Sequence, residues 1–284
     1  MKFAAALRQD LIARALEYAR AENLPYCLSY AEPPSLCFPP FDGNSQHGNF
    51  LSQSYKSILT NPGWKKRLTK VHTQSRRSFS ENERGRWMEL DSCASSDALL
   101  MNIFCYPGVT KDGKVSGLLG VTESTPTAWF GYKARVPLVN GKFDRTEVDL
   151  RLGNVLIEAK LTESDFQSAD QDVLAAYRDF SCVFDLCSLP QTEERFLSYQ
   201  LLRNVLAAFA LDCSFCVVTD ARRPDLIDSW YAVMKCVQSA ELRTRLRIST
   251  WQEIARLLPP RPQAFLAMKY GITSTLSQSR RSAA

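Results

Sequence analysis

A chain of 284 residues can bury a substantial core, either as one large α/β domain with decorations or as two small domains. Its 45% hydrophobic and 23% charged residues are ordinary for a soluble globular protein, and a net charge of +5 does not by itself argue for a polyanionic partner. No run approaches the roughly 18 consecutive apolar residues of a membrane span. Nine cysteines in a chain of this size read as reduced thiols, so a cytoplasmic location is expected.

Along the chain, "MKFAAALRQDLIARALEYARAE" is too charged for a signal peptide. Phe3, Leu7, Leu11, Ala15 and Tyr18 recur at helical spacing and predict an amphipathic helix docked on the body. Residues 24–43 are broken by proline and predict an extended surface segment, and residues 44–62 carry polar turn residues. Residues 63–87 hold eight Lys or Arg against two Glu, among them Lys65, Lys66, Arg67, Lys70, Arg76 and Arg77. Such a segment suits phosphate neutralisation, although a solvated charge run is the commoner explanation.

Residues 83–106 predict a helix ended by Pro107, and "AWFGYKARVPLV" a first strand. Asn140-Gly141 marks a turn, residues 146–163 supply two further strands, and residues 164–192 are a mixed connection with a short helix before Phe180. Residues 193–211 form the most regular helical pattern, "FCVVTD" a buried strand, residues 224–240 a helix with Pro near its first turn, and "WQEIARLL" a last helix. The polar tail from residue 273 is expected to be disordered. This order predicts an α/β core with a small mixed sheet and helices on its faces. Cys182, Cys187, Cys213 and Cys216 could be imagined as a zinc or iron–sulfur set, but Cys216 opens an apparent buried strand, where cysteine is a common core residue.

The stretch "TEVDLRLGNVLIEAKLTE" carries the chemistry. With Gly153-Asn154 as a two-residue turn, Leu152 pairs with Val155, Asp149 falls opposite Glu158, and Glu147 opposite Lys160. One face then carries Glu147, Asp149, Arg151, Leu156, Glu158 and Lys160, and the other is wholly apolar from Val148 to Leu161. Two carboxylates at that separation repel, and a cation between them turns the penalty into attraction. Mg²⁺, which keeps waters and binds phosphate oxygens, suits such a pair, and Lys160 is placed to orient a water or stabilise charge on a phosphate. From pattern alone, an exposed sheet face with a Glu147–Lys160 ion pair explains the charges at least as well.

Asp149 followed by Glu158-Ala159-Lys160 resembles the D…(D/E)-x-K core of the PD-(D/E)XK nuclease superfamily. The string "RTEVDLRLGNVLIEAKLTESDF", with "SSDALLMNIF" and "YQLLRN", looks like an uncharacterised branch of restriction endonucleases, and the resemblance spans residues 81–225. It departs from the motif's name in having Val148 where proline stands. The resemblance implies a restriction-endonuclease-like α/β core of order αβββαβ over residues 81–272, decorated by residues 1–80. It implies Mg²⁺-dependent hydrolysis of DNA phosphodiester bonds, with Mn²⁺ as a substitute, by an endonuclease of restriction or defence type. Asp149 and Glu158 would hold the metal and Lys160 assist the attacking water. An auxiliary acid is expected from the preceding helix, with Glu89 the best-placed candidate and Glu83 behind it, and Glu147 lies beside the site. Gln200, sharing a helix face with Arg203 and Asn204, is the polar helix residue expected to face the site. DNA is the expected partner, with a homodimer left open. A non-catalytic nucleic-acid-binding module on the same fold and a repair or RNA-processing nuclease are the alternatives.

Overall fold

A computed structural model describes residues 2–29, 34–70 and 87–273; Arg76, Arg77, Glu83 and the tail from residue 274 lie outside the described residues. The alternation of apolar and polar residues between 147 and 159 builds the hairpin at the centre of the sheet. Strands β1 (Ala128–Lys133), β2 (Glu147–Leu152), β3 (Val155–Ala159), β4 (Ser214–Thr219) and β5 (Leu246–Thr250) lie in the order β5-β4-β3-β2-β1. The pairs β1–β2 and β2–β3 are antiparallel, and β3–β4 and β4–β5 are parallel, so the sheet is mixed. Gly153 has φ +56° while Asn154 does not take a left-handed φ, which suits the expected type II′ turn.

The register is the expected one from Leu152–Val155 to Leu150–Ile157, and there the ladder stops. Beyond it β3 stays with β4, and the Lys160 N–H donates to the Val218 carbonyl at 2.8 Å. Glu147 consequently pairs with Lys133 of β1 rather than opposing Lys160. The splay also moves Val148, whose side chain joins the cluster on the opposite side of the sheet from Leu150.

Among the described residues, the helices of seven or more residues are α1 (Lys2–Ala21), α2 (Ser52–Thr60), α3 (Ser96–Phe104), α4 (Gly113–Leu119), α5 (Tyr199–Ala210), α6 (Pro224–Met234), α7 (Trp251–Leu257) and α8 (Pro260–Tyr270). Leu150, Leu152, Val155, Ile157, Cys216 and Val218 share one core with Leu7 and Leu11 of α1 and residues of α3, α4, α7 and α8. Leu156, Phe215 and Val217 share a second core with α5 and α6. Each fully buried Leu or Ile contributes about 1.5–3 kcal/mol, so helices packed on both faces hold this sheet between two layers. No helix among the described residues is long and apolar enough to cross a membrane.

Several elements differ from expectation. The helix expected over 83–106 is, in the described part, a 3₁₀ turn at Glu89–Asp91 followed by α3, because the Ser95 hydroxyl accepts the Ala98 N–H at 3.1 Å and caps a new helix there. The pattern over 193–211 begins as a strand, Arg195–Leu197, paired antiparallel with Ser168–Asp170; Ser198 at φ +58° then breaks the chain into α5. The helix expected over 224–240 stops at Met234. Helix α8 was hidden by Pro259, Pro260 and Pro262, which sit just before or within its first turn, where an N–H has no intrahelical partner to lose. Phe3 points outward at 49% exposure, and Ala4 packs in its place.

Candidate active site

Where β2 and β3 part, Asp149 turns its carboxylate across the gap, and Oδ2 accepts the Ala159 N–H at 2.8 Å. Glu158, only 1% exposed, receives the Lys160 ammonium on Oε1 at 2.7 Å and the Asn204 amide of α5 on Oε2 at 2.7 Å. Lys160 is 5% exposed; its carbonyl accepts the Trp251 indole N–H at 2.9 Å and its ammonium lies 5.6 Å from the Phe166 ring centroid. An exposed sheet face is thereby excluded: α5 covers Glu158, and its charge is met inside the protein. Buried charges of this kind persist only when paired and hydrogen-bonded.

The electrostatics follow. Burial, then the charges of Glu158 and Asp97, push the Asp149 carboxyl well above the usual carboxylate range, against the opposing pull of Lys160 and the Ala159 N–H. For Lys160, burial alone would lower the pKa, but Glu158, Glu163 and Asp149 more than reverse it and keep the ammonium protonated. Glu163 is itself fixed, accepting the Ser96 hydroxyl and the Leu161 N–H at 2.6 Å each.

Asp97, in the first turn of α3, was not singled out from sequence, yet its charge acts on Asp149. It is buried and holds Arg67 at 2.7 Å and Lys70 at 2.9 Å. Burial opposes its ionisation, but Lys70 and Arg67 hold its pKa below the ordinary value. The only signal available was an acid two residues after a capping serine, in "SSDALL". Glu89 reaches this cluster through Lys70, at 3.2 Å, and burial followed by the Asp97 charge raises its pKa to about 7. Glu147 accepts Arg67 at 2.9 Å.

The basic segment therefore does not extend as an arm over its described part. Arg67 and Lys70 turn inward onto Asp97, Glu147 and Glu89, where their desolvation is offset by several ion pairs and hydrogen bonds, and of the described basic residues here only Lys65 and Lys66 stay exposed. Trp64 is anchored by its indole N–H on the Ala128 carbonyl at 3.0 Å. Gln200 lies one turn before Asn204 on α5, and its side-chain oxygen is buried without a hydrogen-bond partner, as is the Asn204 Oδ1. Two arginines after β4 are held within the protein: Arg222 binds Asp220 and Asp10, and fully buried Arg223 binds Asp225 and the carbonyls of Leu161, Glu163 and Ser164, which fixes the loop after Lys160. Among the described residues no three or more His, Cys, Asp or Glu side chains gather as a metal site, so the four cysteines are not brought together as one.

A divalent cation nevertheless fits the acids present. Half-buried Asp149 and buried Glu158 are carboxylates whose mutual repulsion a cation relieves, and among the described residues Asp149 Oδ1 has no hydrogen-bond partner. A carboxylate pair with one oxygen left unbonded, Asp149 Oδ1, suits Mg²⁺, which keeps several of its waters.

A mixed five-stranded sheet between helices, with an Asp…Glu-x-Lys set where its central hairpin splays, defines a restriction-endonuclease-like α/β protein. The chain belongs to the restriction endonuclease family described as "Restriction Endonuclease associating with ARP", which it matches over residues 24–271. No curated protein and no solved structure matches it.

Proposed function

We propose that this protein is a divalent-metal-dependent endonuclease that hydrolyses DNA phosphodiester bonds, of restriction or defence type, with Asp149, Glu158 and Lys160 at its centre. The observation that carries the reading is the buried Glu158 held between the Lys160 ammonium and the Asn204 amide, beside the strained charge of Asp149. A charge cluster serving only solubility would not be enclosed in this way.

A bound Mg²⁺ or Mn²⁺ would supply Lewis acidity towards the phosphate and a lowered pKa for a water. The chain's own groups supply the rest. Asp149 is oriented by the Ala159 N–H on one oxygen, which leaves the other for the cation. Asn204 stops the Glu158 carboxylate from rotating. Lys160 donates to Glu158 Oε1 and fixes that carboxylate, and its ammonium is placed to act as a positive charge towards the phosphate. Trp251 and Val218 fix the Lys160 backbone, so its ammonium needs little reorganisation. Gln200 and Glu89 are proposed auxiliary residues, Gln200 through its unpartnered buried oxygen and Glu89 through its raised pKa beside Asp97.

Cleavage of plasmid, linear duplex, single-stranded DNA and RNA, each with Mg²⁺, Mn²⁺ or EDTA, tests the proposal. Metal-dependent cutting of duplex DNA supports it. Cutting of RNA alone would move the substrate class, and salt-dependent DNA binding with no cleavage on any substrate would make the chain a binding module.

A further inference from the structure

From Lys133, the last residue of β1, the chain runs through residues 134–146 to β2, ending three residues before Asp149. They fold as a small hairpin in which Val136 pairs with Asp144 and Pro137 with Phe143. Its inner side is fixed at many points. The Asp144 carboxylate accepts the Thr146 N–H at 2.8 Å, the Thr146 hydroxyl at 2.6 Å and the Tyr177 hydroxyl at 2.9 Å. Val139 N–H donates to the Ala176 carbonyl at 2.9 Å, and the buried Arg203 donates to the carbonyls of Thr146 and Glu147 at 3.0 and 2.9 Å.

The outer side is different. Lys133, Arg135, Lys142 and Arg145 are all exposed, and none forms an ion pair with another described residue. The segment's single acid, Asp144, is occupied by the inward bonds. Arg135 is held at φ +54°, a conformation L residues rarely adopt, and its guanidinium carbon lies 4.7 Å over the Phe143 ring centroid. Phe143 is itself 42% exposed. A rigid hairpin thus presents four free cations and a guanidinium–aromatic pair, in contrast to Arg67 and Lys70, which are spent on buried acids.

We propose that this hairpin, on its outer face, is the surface that holds duplex DNA beside the cleavage site, through phosphate contacts from Arg135, Lys142 and Arg145, with Lys133 at its base. The proposal rests on the nuclease reading above. The placement suits it: Arg145 is four residues from Asp149, at most about 14 Å along the chain. That is about four nucleotides of rise along one DNA strand, close enough to hold the backbone flanking a phosphate at Asp149. A fixed hairpin also loses little conformational freedom when the phosphates arrive.

The test measures binding of a duplex oligonucleotide to the full-length Asp149→Asn protein as a function of NaCl, alone and with Lys142→Ala and Arg145→Ala added together. Both added substitutions remove exposed side chains, and circular dichroism checks that the fold is kept. Each lost phosphate contact lowers the slope of log K against log salt by about 0.9, so the added pair should lower it by about 1.8 and weaken binding on the order of ten-fold or more near 0.1 M salt. Lys235→Ala is the control: Lys235 is exposed at the end of α6 remote from its start beside the C-terminal end of β4, and its slope should stay at the parent value. An unchanged slope in the hairpin variant, or an equal loss in Lys235→Ala, overturns the hairpin assignment and leaves the nuclease reading intact. If the Asp149→Asn protein binds no DNA at any salt, both are overturned.

Discussion

Replacing Asp149 with Asn should stabilise the metal-free protein while abolishing cleavage. Asn keeps an oxygen that can accept the Ala159 N–H, now at 2.8 Å, and removes a charge that burial, Glu158 and Asp97 all disfavour. Each pH unit by which a carboxyl is raised above its ordinary value is worth about 1.4 kcal/mol between its two protonation states. Relief of a strained functional site commonly returns about 0.5–2 kcal/mol, and in a domain of this size each kcal/mol moves Tm by about 2–4 °C. The pH dependence has a definite sign. A carboxyl whose folded pKa is raised contributes most at acid pH, below its unfolded pKa, and that contribution is lost as pH climbs towards the folded value. The Asn variant should therefore gain little near about pH 4 and most near neutrality. Thermal unfolding in EDTA followed by circular dichroism measures this directly. A Tm below wild type at neutral pH would show that Asp149 is not under electrostatic strain. Adding Mg²⁺ or Mn²⁺ should then raise the Tm of the wild type and not of the variant, because ligand that binds only the native state stabilises it.

Asn204→Ala removes the donor to the buried Glu158 Oε2 and should cost about 1.5–3 kcal/mol in urea unfolding, together with most of the cleavage activity. Gly131→Ala should destabilise strongly, by about 1–3 kcal/mol or more, since Gly131 has φ +63° and a Cβ there would overlap the Arg67 guanidinium; Arg67→Ala in the same background should recover little, because the left-handed φ remains. Lys269 is fully enclosed by Phe38, Phe265 and Tyr270 and hydrogen-bonded to Asn49, and burial lowers its pKa to about 7. A lysine neutral in the fold but charged when unfolded makes stability rise with pH, here from about 7 towards 10.5, and Lys269→Met should flatten that rise in pH-dependent denaturation.

The hairpin and its turn were legible because a two-residue turn fixes register, and alternation from Leu150 to Ile157 leaves one pairing that buries the apolar set. The candidate residues Asp149, Glu158 and Lys160 follow that turn closely enough to be grouped from sequence, although the ladder ends at Leu150–Ile157 and the direct Asp149–Glu158 pairing expected from it does not form. What failed was long-range. Nothing in the local pattern says that β3 parts from β2 after Ile157 while staying paired with β4, so the Glu147–Lys160 pairing was expected and Glu147 instead meets Arg67. Asp97 and Asn204 act on residues 52 and 46 positions away, across the sheet, and no periodicity links them to the site. Helix α8 was obscured by prolines that are harmless at a helix start, and β5 is an edge strand whose five residues alternate too briefly to stand out.

The Asp149–Glu158–Lys160 cluster is proposed to hydrolyse DNA with a divalent cation. Plasmid cleavage by wild type, Asp149→Asn and Lys160→Ala, each with Mg²⁺ and with EDTA, tests it most directly. Cutting by the wild type with Mg²⁺ alone, and by neither variant although both remain folded, is the predicted result. Variants that cut plasmid as fast as wild type would contradict it.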